Sequence, residues 1–400
     1  MSDWSYRPLI WLAVATFSTG IDGYVLAGLL PAIAAGLHVE AALAGQLVSV
    51  FALTSALAGP VLGTLTSRWE RRGTIALSLA VFVLGNLVVG LAPNYPIALG
   101  GRVVAALGGC LLNAAVTGYV IALTPIRHRG KALSFVLGGW MTATALGVPV
   151  GLALGQTSWR FPLLMVSVVG TIALIGILLK LPQLHLPAGS LADRLRPLKQ
   201  PQLLAGLLVT VGILCSSYTC FTYATIILQP AYDGGWVIIA IMFGYGVASM
   251  LGNAVTGRLT DRFSALRVLT VMLTGLLLNA ALGVVAFAIG AVAVLGLVWF
   301  FAAGIGNGGA AVPQQARLAA LAPESAAIVM ALNGSAISLG CALGGGLGGL
   351  TLAAGSAPYG LLSVAAVVLA GTLALHLAVQ RRTISPGAGS GSPSAGRTSP

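Results

Sequence analysis

The chain reads as an all-α polytopic membrane protein, twelve transmembrane helices in two six-helix bundles. Three observations carry that reading. Twelve long apolar runs occupy residues 9–30, 43–65, 74–92, 97–123, 131–154, 161–181, 202–228, 237–257, 268–288, 290–314, 325–352 and 356–379. Each run can cross a hydrocarbon layer about 30 Å thick, which takes roughly 20 helical residues. Arg102 and Arg160 apart, the Lys and Arg residues cluster in alternate gaps and at the two ends. A weak internal repeat divides the chain in half. Composition agrees: 58% hydrophobic and 7% charged residues, with mean hydropathy +0.98, leave too little polar surface for a soluble protein.

The basic gaps set the expected orientation. Arg68/Arg71/Arg72, Arg127/Arg129/Lys131, Arg194/Arg196/Lys199, Arg258/Arg262/Arg267 and Arg317 follow even-numbered spans, while Arg7 and Arg381/Arg382 flank the ends. The positive-inside rule places both termini and these loops in the cytoplasm of an inner, multi-pass membrane protein. The net charge of +12 sits in short juxtamembrane loops without aromatic interleaving. That pattern points to the lipid bilayer as partner and away from nucleic acid.

Taken in order, the first span follows Arg7 as a secretory leader would, but it is long and eleven more spans come after it, so it is expected to be retained. It carries Asp22, the one carboxylate within a span, with Ser18 and Thr19 on the same face. The second span ends in Gly63-Thr-Leu-Thr-Ser-Arg68-Trp-Glu-Arg-Arg72. The fourth carries Arg102, a base within a span, heading a stripe of Ala106, Gly109, Asn113 and Thr117. At 1.5 Å per residue, Asp22 lies about 12 Å from the far end of its run and Arg102 about 8 Å into its own. Charges at such depth mark a cavity or a partner, here one aqueous vestibule with a titrating Asp22, or else a static ion pair.

The fifth span contains Gly147-Val-Pro149-Val-Gly151, where the proline removes a backbone donor and the glycines permit a bend or close approach. Residues 182–201, with Pro182, Pro187, Pro197 and Pro201, form a cytoplasmic linker between bundles at 1–181 and 202–380. The eighth span ends in Gly257-Arg-Leu-Thr-Asp261-Arg262, an echo of the second-span ending at a fixed interval of about half the chain. Polar residues of the later spans are neutral: Ser216, Thr219 and Tyr223 in the seventh, Asn307 in the tenth, Asn333 in the eleventh. With Tyr24 and Trp140 they are candidate lining for a greasy pocket, though such residues also serve as interhelical glue. The segment 381–400 is Gly/Ser/Pro-rich and expected to be disordered.

No Gly-rich loop followed by Lys-Ser/Thr is present to cradle nucleotide phosphates, and the histidines are scattered. Cys110, Cys215, Cys220 and Cys341 lie within spans without metal spacing. An enzyme, a metal site, a cofactor and ATP-driven transport are therefore not expected.

These motifs together resemble the twelve-span drug:proton antiporter branch of the major facilitator superfamily, which includes sugar-efflux and chloramphenicol-export proteins. The likeness spans nearly all of residues 9–380. Gly63 to Arg72 is similar to the family's first-loop signature G-x-x-x-D-R-x-G-R-R, with Ser67 at the acidic position and Glu70 at the second glycine. Asp261-Arg262 keeps the acid in the second copy. Arg102 matches the span 4 arginine, Gly147-x-Pro149-x-Gly151 the span 5 antiporter core, and Ser158-Trp-Arg-Phe161 the motif that follows it. Asp22 stands one residue before the family's span 1 carboxylate.

The resemblance implies a monomeric, proton-coupled exporter of small amphipathic molecules working by alternating access. Asp22 and Arg102 would couple protons, while Thr19, Tyr24, Asn113, Thr117, Trp140, Ser216, Thr219, Tyr223, Asn307 and Asn333 would meet substrate. Gly63, Arg68, Arg72, Gly147, Pro149, Gly151, Gly257, Asp261 and Arg262 would gate. A proton-coupled importer on the same fold, or a non-transporting sensor, are the alternative readings.

Overall fold

The computed structural model describes residues 8–185, 196–229, 231–232, 235–290 and 292–384. Among the described residues, twelve helices are long and apolar enough to cross a membrane. They are α1 (Leu9–Leu37), α2 (Ala41–Leu65), α3 (Arg71–Leu91), α4 (Tyr95–Leu123), α5 (Arg129–Gly155) and α6 (Arg160–Lys180) in the first half. The second half holds α7 (Pro201–Phe221), α8 (Gly235–Arg262), α9 (Ala265–Ala288), α10 (Val292–Leu321), α11 (Ala326–Ala353) and α12 (Tyr359–Ile384). Helices are the natural solution in lipid because each satisfies its own backbone.

Three boundaries differ from expectation. Helix α1 continues through Pro31 and stops only at His38, whose φ of 54° is left-handed. The seventh span breaks at Thr222–Tyr223 and resumes as a short helix, Ala224–Leu228. The Tyr223 ring occupies space that a Cβ on Gly45 or Gly348 would take, and its hydroxyl donates to the Gly345 carbonyl at 2.9 Å. Helix α12 runs on to Ile384, while the expected disordered tail beyond it, like linker residues 186–195, lies outside the described residues.

Within the first half, α1 packs on α5 and α6, and α3 on α4 and α6. In the second, α7 packs on α11 and α12, and α9 and α8 on α10. Both α1 and α12 have their outer ends on one side, called here the terminal face. The halves meet along α2 and α11, and elsewhere mainly toward the opposite face. There α1 touches the short helix Ala224–Leu228, and Thr144 and Gln156 of α5 abut Gly246 and Gly235 of α8. The terminal-face portion of α5, Arg129–Thr142, packs instead on α1 and α4 of its own half. Among the described residues the halves thus meet, α2 and α11 apart, mainly at the opposite face.

Helix α5 shows how sequence shapes this joint. Pro149 has no N–H for the carbonyl of Ala145, and the chain takes up the slack in a π turn at Ala143–Gly147. Beyond it, Gly147, Gly151 and Gly155 form notches opposite Ile21, Val25 and Leu29 of α1. A Cβ in any notch would overlap those side chains, so the glycines let two backbones approach closely. The gate expected from Gly147 and Gly151 is therefore, in this conformation, a packing seam inside one half. The adjoining π turn reaches α8 through Thr144, and the last turns of α5 meet the start of α8 near Gln156 and Gly235.

A compact knot closes the terminal face of the first half. Glu70 caps α3, accepting from the Arg72 and Gly73 N–H groups at 2.7 Å each, and from the Leu184 N–H at 3.1 Å. The Arg71 N–H returns a bond to the Leu184 carbonyl at 2.8 Å. Arg72 donates to the Leu181 carbonyl at 3.2 Å, and the Tyr119 hydroxyl to that of Pro182 at 2.7 Å. Burial raises the Glu70 carboxyl pKa, but the N–H groups of Gly73, Arg72 and Leu184 and the Arg72 charge lower it by more, leaving it below the usual carboxylate value. Its stabilising contribution is therefore complete above the unfolded-state pKa and is lost as pH falls through the folded one. Glu70→Ala should weaken the cap by about 1 kcal/mol. Amide exchange at Gly73 and Leu184 should speed up in the variant, and the wild-type rate should converge on it in acid. A variant that exchanges like wild type at neutral pH would refute the clamp.

Candidate functional site: a buried ion pair and an aromatic row

Asp22 sits near the middle of α1 because that helix runs well past Pro31. Its Oδ1 accepts from Arg102 Nη1 of α4 at 2.7 Å. Arg102 Nε donates to the Leu47 carbonyl of α2 at 3.1 Å, and its guanidinium lies 4.2 Å over the Phe51 ring. One arginine thus ties three helices together by a charge-assisted bond, a backbone bond and a cation–π contact. Asp22 is 1% exposed and Arg102 2%. The sequence expectation of an open aqueous vestibule is corrected: the residues pair directly, sealed inside the first half. The second carboxylate oxygen, Oδ2, is buried without a hydrogen-bond partner.

Beside this pair an aromatic row crosses between the halves at mid-depth. Trp140 meets Tyr24 edge-on at 6.3 Å, and Tyr24 meets Phe221 at 5.6 Å. Phe221 continues to Tyr245 at 5.0 Å, and Tyr245 to Phe300 at 4.9 Å. Such offset contacts hold rings in place without locking them. Behind the row, inside the second half, lies a cavity of about 40 Å³ lined by Ser216, Tyr245, Asn279, Trp299 and Asn307 among others. Asn307 Nδ2 donates to the Tyr245 hydroxyl at 3.2 Å and Asn279 Nδ2 to the Trp299 carbonyl at 3.0 Å. The amide oxygens are left to meet an occupant. The space is sized for water until the rings move.

Of the residues expected to meet substrate, Tyr24, Trp140, Ser216 and Asn307 belong to the row or the cavity. Four others are helix fasteners. Thr19 bonds its own helix at Ala15 and Thr16, and Thr219 donates to Cys215 and Gly344 carbonyls. Tyr223 bonds Gly345, and Asn333 accepts from Thr210 at 2.8 Å. Hydroxyls and amides in a low-dielectric bundle take the nearest carbonyl, which explains the difference. The span 4 stripe splits: Ala106 and Gly109 are packed, Asn113 is exposed, and Thr117 bonds the Asn113 carbonyl. Asn113 and Thr117 do not line the cavity. Sequence reasoning missed Asn279 and Phe300, which carry no local signal of their distant partners.

The expected gating loops also differ. Gly63 is buried, Arg68 is exposed, and Arg72 serves its own half by capping α6. Gly257 has open space beside it, and Asp261 and Arg262 are exposed. A second correction concerns Arg317, expected in a basic loop. Helix α10 continues to Leu321, and Arg317 is buried with Nη1 3.0 Å from His376 Nδ1. Thr270 donates to the Leu266 carbonyl, so its oxygen accepts from His376 Nε2 at 2.9 Å. The imidazole is then neutral, with its hydrogen on Nε2.

A bundle of twelve candidate spans whose halves converge on a mid-depth row is the architecture of a multi-pass membrane protein. Residues 12–278 match the profile of the Major Facilitator Superfamily, and the chain belongs to that family. Among its relatives is the inner membrane transport protein YdhP of Escherichia coli K12, 29% identical over 373 residues, 92% of this chain and 94% of that protein. The uncharacterized MFS-type transporter YbcL of Bacillus subtilis is 26% identical over 92% of this chain and 93% of its own. A chloramphenicol resistance protein of Streptomyces lividans is 33% identical over 64% of this chain and 67% of its own. Among solved structures, a bacterial homologue of the human lysosomal transporter Spinster superposes with a TM-score of 0.73 at 16% identity, covering 96% of this chain and all of that one. The xylose transporter XylE of Escherichia coli gives 0.69 at 13%, covering 91% and 96%.

The ion pair makes a quantitative demand on stability. Arg102→Met strands a buried carboxylate and should destabilise the protein by about 3–5 kcal/mol. Adding Asp22→Leu should recover most of that loss, because a packed apolar pair needs no counter-charge. Thermal unfolding in detergent measures both. Equal losses in the single and double variants would contradict a coupled pair.

Proposed function

We propose that the chain is a proton-coupled exporter of small amphipathic molecules that are neutral or weakly cationic. It works as a monomer by alternating access between its two halves. The observation that carries this reading is the state of Asp22: one oxygen held by Arg102, the other buried and bare. A proton is the smallest partner that could satisfy Oδ2. On binding it neutralises the carboxylate and weakens the hold on Arg102, which retains the Leu47 carbonyl and the Phe51 ring.

The remaining parts support the assignment. Basic loops gather at the terminal face, which is therefore read as cytoplasmic. The described contacts between the halves outside α2 and α11 lie mainly on the opposite side, so the conformation is read as the one that loads substrate from within. The aromatic row and the amides behind it present rings and hydrogen-bond acceptors without formal charge, suited to a phenicol-like antibiotic or a modified sugar. The Streptomyces lividans relative bears the name of such a resistance. Rocking the halves would open the row outward, where a proton reaches Asp22 and substrate leaves. Each proton entering taps about 2.3 kcal/mol per 100 mV of membrane potential.

In proteoliposomes, wild-type protein should move chloramphenicol against an imposed proton gradient. Asp22→Asn should abolish that driven flux yet retain chloramphenicol counterflow, which needs no proton. Arg102→Lys should restore only part of the activity that Arg102→Ala loses, since an ammonium cannot span carboxylate and carbonyl together. Wild-type driven flux in Asp22→Asn would sink the coupling role, and uptake in the direction of the gradient would favour an importer.

A further inference from the structure

A second cavity, larger than the first, lies on the opposite face between the halves. It holds about 340 Å³, within the usual range for small-molecule sites, and is walled by α1, the end of α5, the short helix Ala224–Leu228 and the start of α8. Its polar groups are Gln156, Thr225, Gln229 and Tyr232, over an apolar base that includes Leu29 and Ile238. None of its described lining residues is charged.

The cavity is built around an exposed weakness in α1. Pro31 has no N–H, so the Ala27 carbonyl four residues earlier lacks its helical donor. The Thr225 hydroxyl, from the other half of the chain, supplies one at 3.2 Å. Pro31 and Thr225 both line the cavity. A neutral hydrogen bond thus joins the halves at the cavity wall, beside the packing of α1 on the short helix and of α5 on α8.

We propose that this vestibule is a second ligand site, for uncharged amphipathic molecules that carry a hydroxyl or amide donor. The occupant lies against the amide of Gln156, beneath the exposed Gln229, and competes with Thr225 for the Ala27 carbonyl. Ligand on this side thereby loosens a contact that joins the halves at that face. The inference rests on the export reading for its choice of probe and for the side that faces outward.

The test places a cysteine at the exposed Gln229 and labels it with a membrane-impermeant thiol reagent, the unsubstituted chain serving as control for Cys110, Cys215, Cys220 and Cys341. Chloramphenicol at about ten times its dissociation constant should slow labelling by about tenfold. Ala32→Trp, at an exposed lining position, should fill the cavity and remove that protection. Thr225→Val should leave the Ala27 carbonyl waiting and lower the protecting concentration by about fivefold. Chloramphenicol counterflow is measured on each variant alongside. Counterflow without protection, or protection that survives Ala32→Trp, overturns the vestibule site and leaves the export reading standing. Protection that is lost in Ala32→Trp while wild type shows no counterflow upholds the site and removes the export reading. Neither protection nor counterflow overturns both.

Discussion

The bond between Asp22 and Arg102 is the constraint around which the first half is organised. Isolating either charge in an apolar bundle costs several kcal/mol, so each holds the other in place. Arg102 also reaches the Leu47 carbonyl and the Phe51 ring, which fixes α2 against α4. Helix α1 is then held from two sides, by Arg102 through Asp22 and by the glycine notches of α5 through Ile21, Val25 and Leu29. Displacing α1 means giving up an ion pair and a close-packed seam together. A change in the charge of one carboxylate is thus felt by a whole helix.

The second half is held differently. Its buried polar groups are hydroxyls, amides and one imidazole: Gln314 bonds Thr210 and the Gly206 carbonyl, Thr210 bonds Asn333, and His376 joins Thr270 to Arg317. These contacts are individually modest and, Arg317 aside, carry no formal charge. The aromatic row joins a half that responds to charge to a half that presents rings and amides. Tyr24 and Phe221, meeting edge to face, are where the two systems touch.

The fold was legible because lipid simplifies the reading: an apolar run has little choice except to be a helix. Asp22 and Arg102 were legible for the same reason, as rare charges in such runs. What escaped was whatever depends on a distant partner. Pro31 looked like a helix end, yet the freed Ala27 carbonyl finds its donor in Thr225, far along the chain. Arg317 looked like a loop residue because its neutral partner, His376, lies two spans away. Thr19, Thr219 and Asn333 stand out in the sequence by polarity alone, a property that packing groups and ligand groups share. The aromatic row gathers residues from five helices, and no local pattern distinguishes them from anchors at the membrane surface.

The knot at Glu70 changes how the halves are tethered. Because Leu184 is fastened on both its N–H and its carbonyl, the chain leaving α6 is anchored to the first turn of α3. Any pull from the second half is delivered to the first turn of α3 and, through Tyr119, to α4, the helix that carries Arg102. A force that reaches Leu184 along the chain is therefore carried toward the ion pair and is not absorbed by the end of α6 alone.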